Sequence, residues 1–236
     1  MSPFPRWVIP VVFVGFLLAI AVALAIRGAK VARQRAAELR ALAERLGLAI
    51  LEKGDKEFVK AWSAVKPLKS SGKATNILYG RLDSGRDLTA FSHTYVVSTG
   101  KSAHAVTHTV AAYDCPAWPA FSVQRRNALV AAVRSLFKKP DPADGAASFE
   151  SEWVVEAADP DWKRALLTPE LMGVLAAQHK TFAGLWVREG KLAVLFSGAL
   201  NVESLERALA AIEPAMVAME SLHGVEGHAW AETGEN

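Results

Sequence analysis

Hydrophobic and polar positions change period several times along this chain, and each change predicts an element. Trp7 to Ile26 (WVIPVVFVGFLLAIAVALAI) carries no charge. At a helical rise of about 1.5 Å per residue the run reaches roughly 30 Å, the thickness of a bilayer's hydrocarbon core. It predicts one transmembrane helix over residues 7–26, with Trp7 at the interface and Pro10 and Gly15 tolerated inside, because lipid offers the backbone no competing partners. Lys30 to Leu46 is then built from strong helix formers, with Leu39, Leu42 and Leu46 three and four residues apart and Gly47 as a natural stop. Residues 27–47 therefore read as a basic juxtamembrane helix that either continues the span or hinges at Gly28. Its leucine stripe either packs on its own domain or forms the seam of a homodimer.

Asp55 caps a short helix, DKEFVKAW, that offers Phe58 and Trp62 to a core. After it the period becomes 2. Thr75–Leu82 and Asp87–Val97 read as strands about the turn Asp83–Arg86, and His104–Tyr113 follows the turn Ser98–Lys101. Along the middle strand Phe91, His93, Tyr95 and Val97 share one face. A short strand near Phe121–Gln124 leads into a helix predicted over Ala128–Phe137, and residues 138–148, rich in Pro, Asp and Gly, read as a surface linker.

The second half begins with a strand over Phe149–Ala157 that turns Phe149, Trp153 and Val155 inward. Thr168-Pro169 starts a helix running through Gln178, since Thr caps and Pro suits the first helical position. Thr181–Arg188 and Lys191–Ser197 flank Glu189-Gly190 as a tight hairpin. Asn201 caps a long helix with Leu205, Leu209, Ile212, Met216 and Met219 on one stripe; Pro214 is expected to kink it, and 223–236 to be a disordered tail. The order ββββα, linker, βαββα lacks the alternation that makes a parallel sheet. It predicts an α+β domain over residues 48–222, a largely antiparallel sheet with helices on one face.

Composition and charge add an address. With 51% hydrophobic and 22% charged residues the chain lies outside the disordered class, and its one cysteine excludes an internal disulfide or a Cys-rich zinc module. Only Arg6 precedes the apolar run, whereas Arg27, Lys30, Arg33, Arg35 and Arg40 follow it closely. Short-range Lys/Arg excess marks the cytoplasmic side, so residues 1–6 are expected outside a bacterial inner membrane and the bulk of the chain in the cytoplasm. Arg27, Lys30, Arg33 and Arg35 are expected to touch anionic headgroups of the lipid bilayer. The rival is a cleaved secretory signal releasing a periplasmic domain, because Ala21-Val22-Ala23 and Ala23-Leu24-Ala25 both fit a cleavage site; the length of the apolar run favours the anchor. Residues 1–40 hold six bases and one acid, so the remainder is slightly acidic and lacks the footprint of a nucleic-acid binder.

Leu78-Tyr79-Gly80, Ser98-Thr99-Gly100-Lys101, Thr109–Tyr113 and Trp118-Pro119-Ala120-Phe121, with Leu167–Leu171 later, resemble a group of uncharacterised bacterial proteins. Members of that group pair one N-terminal membrane helix with a cytoplasmic α+β domain. The resemblance covers most of residues 35–222. It implies that fold and no catalytic residue.

Candidate chemistry is sparse. His104 and His108 are four residues apart on a strand, about 13 Å at 3.3 Å per residue, too far for one metal ion. Cys115 has nothing in the sequence to orient a base toward it and reads as a structural thiol. Glu150, Glu152 and Glu156 read as the wet face of a strand. No P-loop, dinucleotide fingerprint or nucleophile elbow follows a strand, so neither a cofactor, a metal nor a catalytic residue is assigned. Phe91, His93 and Tyr95, with Trp118 and Trp186 as neighbours, are the residues placed to line a ligand site. The leading expectation is a non-enzymatic, membrane-tethered binding or interaction domain. The alternative is an enzyme with a pocket on the Phe91, His93, Tyr95 face.

Overall fold

The computed structural model describes residues 8–63, 65, 68–98, 100, 102–126, 149, 152–157, 160–178 and 180–226. The chain divides into two units, Met1–Leu42 and Ala43–Asn236. The first is almost entirely helix. Helix α1, Val8–Arg45, runs through Gly28 without a hinge. Among the described residues no helix is long and apolar enough to cross a membrane, so the span expected over 7–26 gains no support there. The side chains of residues 8–15, 17, 18 and 21 lie outside the described ones. Those of Phe16, Ile20, Val22, Leu24 and Ile26 stand exposed. The helix ends two residues before the predicted boundary, where Gly47 at φ 66° lets its N–H reach the Glu44 carbonyl and the Leu48 N–H reach that of Ala43.

The second unit is an eight-stranded sheet in the order β1-β2-β3-β4-β8-β7-β5-β6, antiparallel at every pairing. Its strands are β1 (Ala49–Lys53), β2 (Lys73–Arg81), β3 (Asp87–Ser98), β4 (Ala103–Asp114), β5 (Phe121–Arg125), β6 (Trp153–Ala157), β7 (Phe182–Arg188) and β8 (Lys191–Ser197). Between them lie α2 (Lys56–Trp62), α3 (Pro160–Leu166) and α4 (Pro169–Ala176), and α5 (Val202–Glu226) closes the chain. The α+β class and the antiparallel sheet are as predicted. Sequence reading missed β1, an edge strand whose five residues are all exposed and so show no alternation, and α3, two turns that bury Trp162 and Leu166.

Two local expectations change, and two others fall outside the described residues. The strand over 149–157 begins only at Trp153; Phe149 has helical backbone and stacks on the Trp153 ring at 5.6 Å. The α5 helix passes through Pro214 and continues to Glu226, so the tail expected from 223 is helical for its first four positions. The helix expected at 128–137 and the linker at 138–148 lie outside the described residues.

Helices cover both faces of the sheet, not one. Alternation sends Leu88, Ala90 and Ser92 of β3 to the face that carries α5, where the Leu200 N–H donates to Ser92 Oγ at 2.8 Å and the Tyr113 hydroxyl donates to Glu213 at 2.6 Å. Phe91, His93 and Tyr95 point the other way. There α2, capped by Asp55 through a 2.8 Å bond from the Phe58 N–H, packs Val59 and Trp62 into a core with Ile77, Phe91, Val110, Trp186 and Leu195. A sheet whose two faces are both apolar needs two covers, where the lack of strand–helix alternation had suggested helices on one face.

The β7–β8 hairpin turns on two residues in the left-handed region, Glu189 at φ 51° and Gly190 at φ 69°. Such a turn matches the strand twist, and a non-glycine residue there costs about 1–2 kcal/mol unless it is Asn or Asp. The Arg188–Glu189 contact at 3.9 Å, exposed on both sides, contributes little. Glu189→Asn should raise the unfolding free energy by about 0.5–1 kcal/mol in chemical denaturation; an unchanged or lower value would show that the turn is not strained at Glu189.

Candidate functional site

The three residues expected to line a ligand site separate into two environments. Phe91 is fully buried, and its ring meets those of Phe58 at 5.1 Å and Trp62 at 5.0 Å, both edge-on. His93 and Tyr95 instead join a third side chain, His108 of β4. His93 and His108 stand directly opposite each other across the β3–β4 ladder. The Tyr95 ring lies 5.6 Å from that of His93 and stacks on that of His108 at 5.9 Å, with its hydroxyl 3.4 Å from His108 Nε2. Relative exposures are 1% for His93, 8% for Tyr95 and 8% for His108, so the cluster is buried, His93 most deeply.

A turn closes it. The Gly72 N–H donates to the Lys69 carbonyl at 2.9 Å, and the same carbonyl accepts from His93 Nε2 at 3.1 Å. A carbonyl has no proton to give, so Nε2 carries the hydrogen and Nδ1 the lone pair. Gly72 lies so close over the ring that a Cβ there would come within 2.2 Å of Nε2. Lys69 also sets its ammonium 5.3 Å over the Tyr95 ring, a cation–π contact. The Nδ1 atoms of both histidines are buried without a hydrogen-bond partner among the described residues.

These surroundings favour neutral rings. Burial holds His93 below the ordinary imidazole value of 6.5, with the Lys69 carbonyl opposing. Burial also lowers His108, the facing His93 lowers it further, and the Phe196 backbone opposes both. Burial alone pushes the Tyr95 phenol up. The cluster at neutral pH is thus an uncharged set of imidazole and phenol groups in which either proton uptake would place charge in a dry site.

The remaining sequence candidates are scattered. Trp186 belongs to the core beside α2, and Trp118 is buried in the segment leading to β5. His104 is exposed near the start of β4, on the same strand as His108 but far from it. The partner of His108 lies across the sheet. That pairing was readable from the turn: a hairpin centred between Gly100 and Lys101 places residues summing to 201 opposite each other, and Ser98 faces Ala103 as it requires. Cys115 is half-buried, and burial, with Asp114 adding and Lys191 opposing, pushes its thiol up to about 11, away from nucleophilic use at neutral pH. Glu152 and Glu156 are exposed, while Glu150 lies outside the described residues. Arg27, Lys30, Arg33 and Arg35 are all exposed on α1. Among the described residues no three His, Cys, Asp or Glu side chains gather into a metal-binding group.

Neither a protein-family model nor a curated protein matches the sequence. The fold has a counterpart in the crystal structure of the mycobacterial trehalose monomycolate transport factor A, TtfA, with a TM-score of 0.52 at 14% identity. The match covers 82% of this chain and 96% of that one. At that identity the likeness is one of fold.

The depressed histidines set the sign of the pH dependence. A base held below its unfolded value leaves stability intact above about pH 6.5 and removes it progressively as pH falls toward the folded values. Denaturant unfolding at about pH 7.5 and about pH 5.5 should show lower stability at the acidic end. His93→Gln with His108→Gln should flatten the difference; an equal fall in that double variant would assign it to other groups.

Proposed function

We propose that this chain is a membrane-tethered accessory protein for transport, acting by binding and not by turnover. The observation that carries this reading is a fold shared over 82% of this chain with TtfA, a protein whose name makes it a transport factor. A second feature supports the address. Phe16, Ile20, Val22, Leu24 and Ile26 stand exposed on α1 within an uncharged run, and exposed apolar side chains in that number call for an apolar surrounding. In this reading residues 7–26 occupy the bilayer of a bacterial inner membrane. Arg27, Lys30, Arg33 and Arg35 meet anionic headgroups on the cytoplasmic side, where each contributes about 1 kcal/mol. The α+β domain then works in the cytoplasm as the binding part, tied to the membrane and thereby kept at high local concentration near partners embedded in it.

Fractionation tests the tether and a reporter tests the side. Full-length protein should stay in the membrane pellet through high-salt and alkaline washes. A fluorescent protein fused after Asn236 should light up inside the cell, while alkaline phosphatase at the same position should stay silent. Intact soluble protein, or an active external phosphatase, would refute the tether or its orientation. For the accessory role, deleting the gene should impair export of an envelope component without impairing its synthesis, and a copy lacking residues 7–26 should fail to restore it.

A further inference from the structure

Three side chains and one turn form a closed device in the second unit. The Lys69–Gly72 turn touches the sheet through His93, whose Nε2–H donates to the Lys69 carbonyl at 3.1 Å and whose ring supports the Gly72 backbone. Outward, Lys69, Ser70 and Ser71 are exposed, and among the described residues the turn is closed by the 2.9 Å bond from the Gly72 N–H to the Lys69 carbonyl. Inward, β3 and β4 are fixed by an unbroken ladder from Leu88↔Tyr113 to Ser98↔Ala103. When the two parts separate, the turn is the one that moves.

We propose that the Lys69–Gly72 turn is an acid-released latch over the His93–Tyr95–His108 cluster. The physical reason is where a second ring proton would go. On His93 it must sit on Nδ1, which is buried and has no acceptor among the described residues. On His108 the added proton meets a ring whose Nδ1 is buried without a hydrogen-bond partner among the described residues; the Phe196 backbone favours that proton, while burial and the facing His93 oppose it. The surroundings compensate only through backbone, the Lys69 carbonyl at His93 and Phe196 at His108. Tyr95 comes from β3, His108 from β4 and the Lys69 ammonium from the turn, while the register neighbours from β2 and β8 are the uncharged Ala74 and Ser197. From α2 come the apolar Phe58 and Trp62, packed on the adjoining Phe91. No carboxylate among the described residues contributes to holding either ring. Protonating either histidine therefore puts a cation opposite another imidazole in a buried site, with no side-chain anion among the described residues to pair with it.

Release has a chemical result. The closed face covers neutral imidazole and phenol rings with the backbone of the turn and the Lys69 ammonium. The open one presents imidazolium and phenol groups to solvent beside Lys69, a cationic recess on a sheet face that neutral pH keeps shut. The device needs no large motion, because breaking one hydrogen bond and lifting Gly72 off the ring admits water to His93.

Hydrogen exchange on the full-length protein reads the latch directly. With intrinsic rates corrected, the opening constant of amides in residues 69–74 should rise between about pH 7.5 and about pH 5.5, about tenfold if one histidine with an open-state value near 6.5 drives it and up to about a hundredfold if both do. Amides of β7 and β8 should keep theirs. His93→Gln retains a donor for the Lys69 carbonyl and cannot titrate, so its opening should lose all or most of that rise. A turn equally closed at both pH values, or a rise of the same size throughout β7 and β8, would overturn the latch. Should His93→Gln not fold, ring-proton NMR of the wild type decides. His93 protonating in step with turn opening supports the device, and His93 protonating near its ordinary value while the turn stays closed overturns it.

Discussion

Register between β3 and β4 is the constraint from which the rest follows. The two strands pair continuously from Leu88↔Tyr113 to Ser98↔Ala103, at the centre of a sheet that extends on both sides of them. Strand side chains alternate with a period of 2, so a slip of one residue on either strand would exchange that strand's faces. Tyr113 and Thr109 would then point at α2, or Phe91 and His93 at α5. Neither cover could accept them, since α2 offers Phe58 and Trp62 to receive an aromatic ring and α5 offers Glu213 to receive a hydroxyl.

The two covers are attached by different physics. Polar bonds pin α5 along its length: the Leu200 N–H to Ser92, Thr109 to the Gly198 carbonyl at 3.0 Å, Tyr113 to Glu213, and Arg86 with a two-pronged grip on Glu220 at 2.7 and 2.8 Å. Each of these has a defined partner, and bonds to charged groups of this kind are among the stronger ones available. The opposite cover is held by ring edges and methyl groups around Phe91, and beyond them by an imidazole-to-carbonyl bond at Lys69. Apolar contact lacks direction and adapts, so the α2 face is where a local rearrangement costs least.

Much of this was legible in the residues because local chemistry agreed with the final structure. Asp55, Thr168 and Asn201 each sit one residue before a helix and accept from its first turn, as their side chains dictate. Glu189-Gly190 marked a tight turn, and the alternation along Asp87–Val97 gave both faces of β3. What escaped notice had no local signature. The strand β1 is exposed throughout, α3 is too short for a period to show, and the second helical cover became visible only when tertiary packing put α2 behind Phe91. The candidate site was half legible. His93 and Tyr95 were assigned to one face from spacing alone, but their closeness to His108 depends on a partner fifteen positions away, and the turn that seals them depends on Gly72, which in the sequence is one small residue among many.

Strand order sets a schedule for making the protein. In the finished sheet β4 lies beside β8, and β5 lies between β7 and β6, so the ladder on the outer side of β4 belongs to a segment encoded much later. At about 5–20 residues per second, several seconds of synthesis separate Asp114 from Lys191 on the ribosome. Throughout that interval Val110, Ala111 and Ala112 belong to an unpaired, apolar edge in a nascent chain. Only the last hairpin to emerge can close it, which makes the central seam of the sheet the final one to be sewn and gives truncated products an open flank for chaperones and proteases to recognise.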